Sequence, residues 1–206
     1  RDAITLQGNV ELKSNITLAS GDDPVDLSNA NINGGYDVVL NAGIGAVTLG
    51  NLGQTVSINS LTVSTSGITA FDGGITAVGS TGINMPNAPT IIVGNSTSDS
   101  VTLTSGNILL NGGVVDGPGG LDIYTGTGTV ALGQIGSTTP LEHLTINGTG
   151  LTTFDGNINA GAAGDINLSS ATNVNFTGNT VITAATASFA GAVSASGSVD
   201  LTNVDI

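Results

Sequence analysis

Short runs in which apolar residues alternate with small or polar ones recur along the whole chain. Examples are Ile4-Thr5-Leu6, Val10-Glu11-Leu12, Val47-Thr48-Leu49, Leu61-Thr62-Val63, Val101-Thr102-Leu103, Val130-Ala131-Leu132, Leu144-Thr145-Ile146, Ile166-Asn167-Leu168 and Val199-Asp200-Leu201. Each places two apolar residues on one side of an extended segment, the period of a strand with one buried face. Gly, Asn, Asp and Ser between the runs supply the turns. Glu, Lys, Arg, Gln and Met, the usual surface helix formers, are scarce, and Gly or Pro interrupts most windows of ten. No helix is predicted.

The runs belong to a longer repeat. Residues 32–77 align with 115–160 at a constant offset of 83, with 17 identities in 46 positions. GIGAVTLGNLG from Gly43 matches GTGTVALGQIG from Gly126, and LTVSTSGITAFDGGITA from Leu61 matches LTINGTGLTTFDGNINA from Leu144. VDLSNANI from Val25 returns as VDLTNVDI from Val199, an offset of 174. The chain thus reads as one solenoid segment, 1–206, with repeats at 25–107 and 108–198 and the start of a third at 199–206. The second period is the longer one, with its extra residues expected within 166–198. Ending just inside a third repeat implies that the chain is cut from something longer.

A unit of that length is too long for one supersecondary element and divides into four coils of roughly 21 residues, a parallel β-helix of about ten coils. In such a solenoid each coil hydrogen-bonds the coils above and below, about 4.8 Å away, and like side chains stack inside. Val47, Leu49, Leu61, Val63, Phe71 and Ile75 are expected to point inward, with Val130, Leu132, Leu144, Ile146, Phe154 and Ile158 as their partners. Phe154 and Phe176, each in Phe-x-Gly-Asn and spaced by about one coil, are expected to stack. Phe189 follows too soon after Phe176 to fit a coil. Corner Asn residues are expected to form buried amide ladders up the axis.

Composition narrows the class. Few large side chains are present, with four Phe, two Tyr and no Trp, which suits a narrow core of constant width. Fifteen acidic residues against Arg1 and Lys13 give a formal charge of −13. That excludes nucleic acid, whose phosphates need Lys and Arg, and a polybasic membrane contact. No apolar run is long enough for a transmembrane helix. The chain has no Cys, begins with Arg1 and shows no signal peptide, so it reads as a processed or excised portion.

The stretch VDGPGGLDIYTGTGTVALGQIGSTTPLEHLTINGTGLTTFDGNINA, Val115 to Ala160, resembles the repeats of filamentous-haemagglutinin-like proteins, giant bacterial surface proteins. Ile32 to Ala77 is a more diverged version. The resemblance implies a right-handed parallel β-helix, export from the cell, and a role as stalk, fibre or adhesin. It carries no catalytic residues.

Polysaccharide lyases and hydrolases also use β-helices. A lyase needs a cationic clamp at the sugar acid, and only Arg1 and Lys13 could supply one. A hydrolase needs carboxylates about 5–9 Å apart. Asp22, Asp23 and Asp26 lie close in SGDDPVDLS, which reads as a solvated Pro-containing turn. Asp72 and Asp155, equivalent in Phe-Asp-Gly, would stand four rungs apart, too far for a pair. GPGGLD, Gly117 to Asp122, partly mimics a calcium-binding repeat but lacks tandem copies. His143 is the single histidine, and a surface or turn position suits it better than a ligand role. Glu11 and Lys13 form a surface pair. Thr102/Thr104 and Thr125/Thr127/Thr129 do not recur at coil spacing, so they read as ordinary strand Thr. Asn15, Asn95 and Asn147 match the glycosylation sequon by composition.

The sequence therefore assigns no catalytic, cofactor-binding or metal site and no enzyme activity. It points to a structural module of a secreted, extracellular or cell-surface bacterial fibre. Its partners would be neighbouring coils of one long polypeptide or head-to-tail copies, with cell-surface or matrix carbohydrate as a further candidate. The alternatives are a carbohydrate- or host-binding adhesin region and a β-helix glycoside hydrolase. The decorating loops that separate these classes are expected at MPNAP, from Met85, and in 166–198.

Overall fold

The computed structural model describes residues 2–202 and Val204; Arg1, Asn203, Asp205 and Ile206, and with them part of the 199–206 echo, lie outside the described residues. The alternating runs become 25 short strands, and no helix is found among the described residues. Every strand pairing is parallel, between segments about one coil apart in sequence, so the chain winds as a β-solenoid of about nine turns of ~22 residues. This agrees with the parallel β-helix of about ten coils of roughly 21 residues expected from the sequence.

Each full coil has three faces, named here Z, X and Y in chain order. Face Z is a nine-stranded sheet. One of its vertical columns runs Ile16, Val38, Leu61, Ile83, Ile108, Val130, Thr152, Val174 and Val193. Face X carries Val25, Val47, Thr69, Ile91 and Val115, then Ile135, Ile158, Ile182 and Leu201. Face Y carries Val10, Ile32, Leu52, Ile75, Leu103, Ile123 and Ile146. The strands Val25–Asn33 and Val47–Leu52 run from X into Y, with a register shift between Leu27 and Asn31. They join the two faces into one 13-stranded sheet.

The core is a continuous column along the axis. All twelve residues expected inside are buried, at 1% exposure or less. Phe154 and Phe176 are paired on neighbouring coils of face Z, with ring centroids 5.5 Å apart and planes inclined by 19°. Phe189 lies two faces further along the chain, on face Y, and meets Phe176 edge-on at 6.3 Å. Its short spacing from Phe176 is therefore a reach across the core and not a rung.

The coil is not commensurate with the repeat. Val47 is on face X, but Val130 is on face Z; Leu61 on Z corresponds to Leu144 on Y, and Ile75 on Y to Ile158 on X. The repeat offset spans eleven faces, not the twelve of four whole coils. Each copy is thus turned back by one face. The pattern survives because the three faces make the same demand: an inward apolar residue at every second position.

Coil length also varies where the sequence did not place it. The longest step on face Y runs from Ile75 to Leu103, and it contains the corner from Gly94 to Asp99. The steps through 166–198 are short, Ile166 pairing with Ala187 and Val174 with Val193, so the expected insertion there is absent. Within MPNAP, Met85 and Ala88 are fully buried, and the segment is a corner of the core and not a decoration.

Corner polar groups clamp successive coils. The Asn33 side-chain oxygen accepts from the backbone N–H of Thr55 at 2.9 Å and Val56 at 3.2 Å, one coil later. Asn107, Asp116 and Asn157 receive the N–H groups of Thr129, Thr138 and Val181 in the same way, at 2.9, 3.1 and 2.9 Å. Each bond satisfies a donor that a turn leaves free. An amide ladder does form, Asn9–Asn31–Asn51, with steps of 3.2 and 3.3 Å, but it is exposed and not buried. At Gly128 a Cβ would stand 1.1 Å from the Gly106 carbonyl oxygen, so only glycine allows the two corners to stack.

Candidate functional site

The three aspartates of SGDDPVDLS do not converge. The Asp22 carboxylate faces the Ile44 N–H on the next coil at 3.4 Å. Asp26, on the strand of face X, accepts from the Ser28 hydroxyl at 2.7 Å and the Ser28 N–H at 2.9 Å. These bonds, the hydroxyl first, hold Asp26 below its ordinary range. Asp72 and Asp155 stand at different corners, X–Y and Z–X, and do not form the vertical pair four rungs apart that the repeat suggested. Asp155 accepts from the Thr177 hydroxyl at 2.8 Å.

The long coil brings Asp99 close to Asp72 instead. The Asp99 carboxylate closes its own loop, accepting from Asn95 N–H and Ser96 N–H at 2.9 Å each, and these bonds lower its pKa. Phe71, Asp72, Asn95, Ser98, Asp99 and Ser100 line an open hollow of about 310 Å³. Burial raises the Asp72 pKa, and the Asp26 and Asp99 charges add to the shift. Little in the sequence signals this pairing. Asn-Ser-Thr-Ser-Asp is a capped turn by composition, but its neighbour is fixed only by the extra length of the coil.

The densest side-chain cluster is on face Y. Ser100, Asp122 and His143 lie on three successive coils. The Ser100 hydroxyl donates to Asp122 at 2.7 Å, and His143 Nε2 stands 3.3 Å from the other Asp122 oxygen. His143 Nδ1 stands 2.5 Å from Glu142. The ring lies over Gly120, where a Cβ would come within 1.9 Å of it. GPGGLD is therefore a corner that seats an imidazole, with Asp122 committed to Ser100 and His143. Burial opposes the charged ring, but the hydrogen bonds and charges of Glu142 and Asp122 outweigh it and raise the His143 pKa.

The remaining candidates are solitary. Glu11 and Lys13 pair in the open. Thr102 faces out, Thr125 is buried and Thr127 lies at a turn, so no flat Thr array exists among them. Asn15, Asn95 and Asn147 are exposed, and Asn15 accepts the Asp37 N–H at 3.1 Å. Among the described residues no group of three or more His, Cys, Asp or Glu is arranged to hold a metal ion. No helix there is long and apolar enough to cross a membrane.

The chain is a parallel β-solenoid repeat protein. No family model, curated protein or solved structure matches it.

Proposed function

We propose that the chain is a structural segment of a secreted bacterial surface fibre, acting as a rod and not as an enzyme. The observation that carries this reading is the use made of the corner side chains. Asn33, Asn107, Asp116 and Asn157 are committed to the next coil's backbone, which stiffens the axis and leaves fewer groups for a ligand. The one-face turn between repeats adds support, because recurring features are dealt to different faces and build no continuous array on one. Resemblance to filamentous-haemagglutinin-like repeats agrees with export to the surface, and the charge of −13 keeps such rods apart in solution.

A second reading, an adhesin region, is favoured by one surface feature. Tyr36, Val56 and Val78 are exposed at the Y–Z corner of three successive coils, at 38, 55 and 68%. An apolar edge of this kind suits an aromatic and aliphatic contact with a sugar or a host protein.

Two measurements test the readings. Immunogold labelling of the producing cells should decorate surface fibres; label confined to the cytoplasm overturns the proposal. A glycan array of the purified chain should stay blank for a rod, whereas specific binding that is lost on Tyr36→Ala transfers the assignment to the adhesin.

A further inference from the structure

We propose that His143 is a pH-sensitive clasp that fastens three successive coils of face Y while protonated and loosens them when the proton leaves. The geometry requires a protonated ring. Nε2 faces Asp122 and Nδ1 faces Glu142, and both partners are carboxylates. An ionised carboxylate only accepts, and a neutral imidazole donates from one nitrogen alone. Only imidazolium satisfies both sides at once. Loss of the proton turns one contact into a lone pair facing an anion.

The surroundings supply no competing cation. The β-strand above places Asp165 at the position paired with His143, its carboxylate taken by the Thr186 hydroxyl at 2.7 Å. The strand below brings Asp122, held by Ser100. The adjoining corner brings Glu142, with Asp99 two coils further down, where its carbonyl accepts the Gly120 N–H of the coil between. Every charged group on these elements is acidic, and the ring is only 27% exposed. The clasp reaches from Ser100 through Asp122 to His143, so its loss acts on the stacking that holds the rod together.

The sign follows from linkage. A histidine whose folded pKa is raised stabilises fully below its unfolded value, about 6.5, and the contribution is lost as pH rises through the folded value. Within that window the folding constant falls by up to about tenfold per pH unit, the effect of one proton.

The chain holds one histidine, so a single imidazole signal in an NMR titration reports the clasp directly. Its midpoint should lie above the ordinary value and fall in Asp122→Asn, which keeps the histidine and its seat. Urea unfolding across the neutral range should show stability declining with rising pH in the unmodified chain and a flat profile in His143→Gln over the same window. A midpoint at or below the ordinary value, or one unmoved by Asp122→Asn, overturns the proposal. So does an equal pH dependence in His143→Gln. Should that variant not fold, the Asp122→Asn titration decides alone.

Discussion

Replacing Phe154 by alanine removes a ring that is fully buried on face Z between Leu132 below and Phe176 above. Two terms contribute to the loss. Emptying a fully packed phenylalanine site costs about 3–5 kcal/mol. The stacked contact with Phe176, at 5.5 Å and 19°, supplies about 0.5–1.5 kcal/mol of specific pairing, part of which is contained in the first figure. A solenoid core relaxes poorly, because each inward side chain is fixed between hydrogen-bonded coils, so the upper half of the range is expected. Urea unfolding followed by far-ultraviolet circular dichroism reads the loss. Phe71→Ala is the matched control: Phe71 is equally buried, between Leu49 and Val93, with no aromatic stacked on it. A Phe154/Phe176 double-mutant cycle isolates the stack and should return about 1 kcal/mol. Since neighbouring coils carry the cooperativity, hydrogen exchange should also rise first in 151–176. A loss under about 1 kcal/mol in Phe154→Ala would refute the packing and the register of face Z.

Three further outcomes are expected. Thr69 is fully buried on face X and its hydroxyl has no partner, so Thr69→Val should stabilise by about 1 kcal/mol in the same unfolding assay. Gly128→Ala should destabilise by on the order of 3 kcal/mol or more, because its Cβ would meet the Gly106 carbonyl, and the melting temperature reads this. Hydrogen bonds from the Ser60 hydroxyl and then the Asn59 amide lower the Asp37 pKa. Its stabilisation is present above the unfolded value and lost as pH falls through the lower folded one, so Asp37→Asn should flatten the acid limb of a pH–stability profile below about pH 4.

The alternating runs determined the strands and the identity of the core, and with the internal repeat they pointed to an all-β solenoid. Val47, Leu61, Phe71, Phe154 and Ile158 are inward because a strand's side chains alternate with a period of two, and that period is printed in the sequence. The stacking of Phe154 on Phe176 was legible for the same reason, as like motifs spaced by one coil. What the sequence left open was the assignment of residues to faces. All three faces impose one pattern, so a copy shifted by one face satisfies it equally well, and the repeat offset looked like four whole coils. Backbone pairing settled it by fixing where each corner turns. The same ambiguity hid the clasp. His143 stood out as the single histidine, but Asp122 and Ser100 lie one and two coils before it and become neighbours only once the coil length is set. Asp72 and Asp99 meet for a related reason. The long step between them is visible only against the pairing of Ile75 with Leu103, which distant backbone hydrogen bonds decide and local pattern does not.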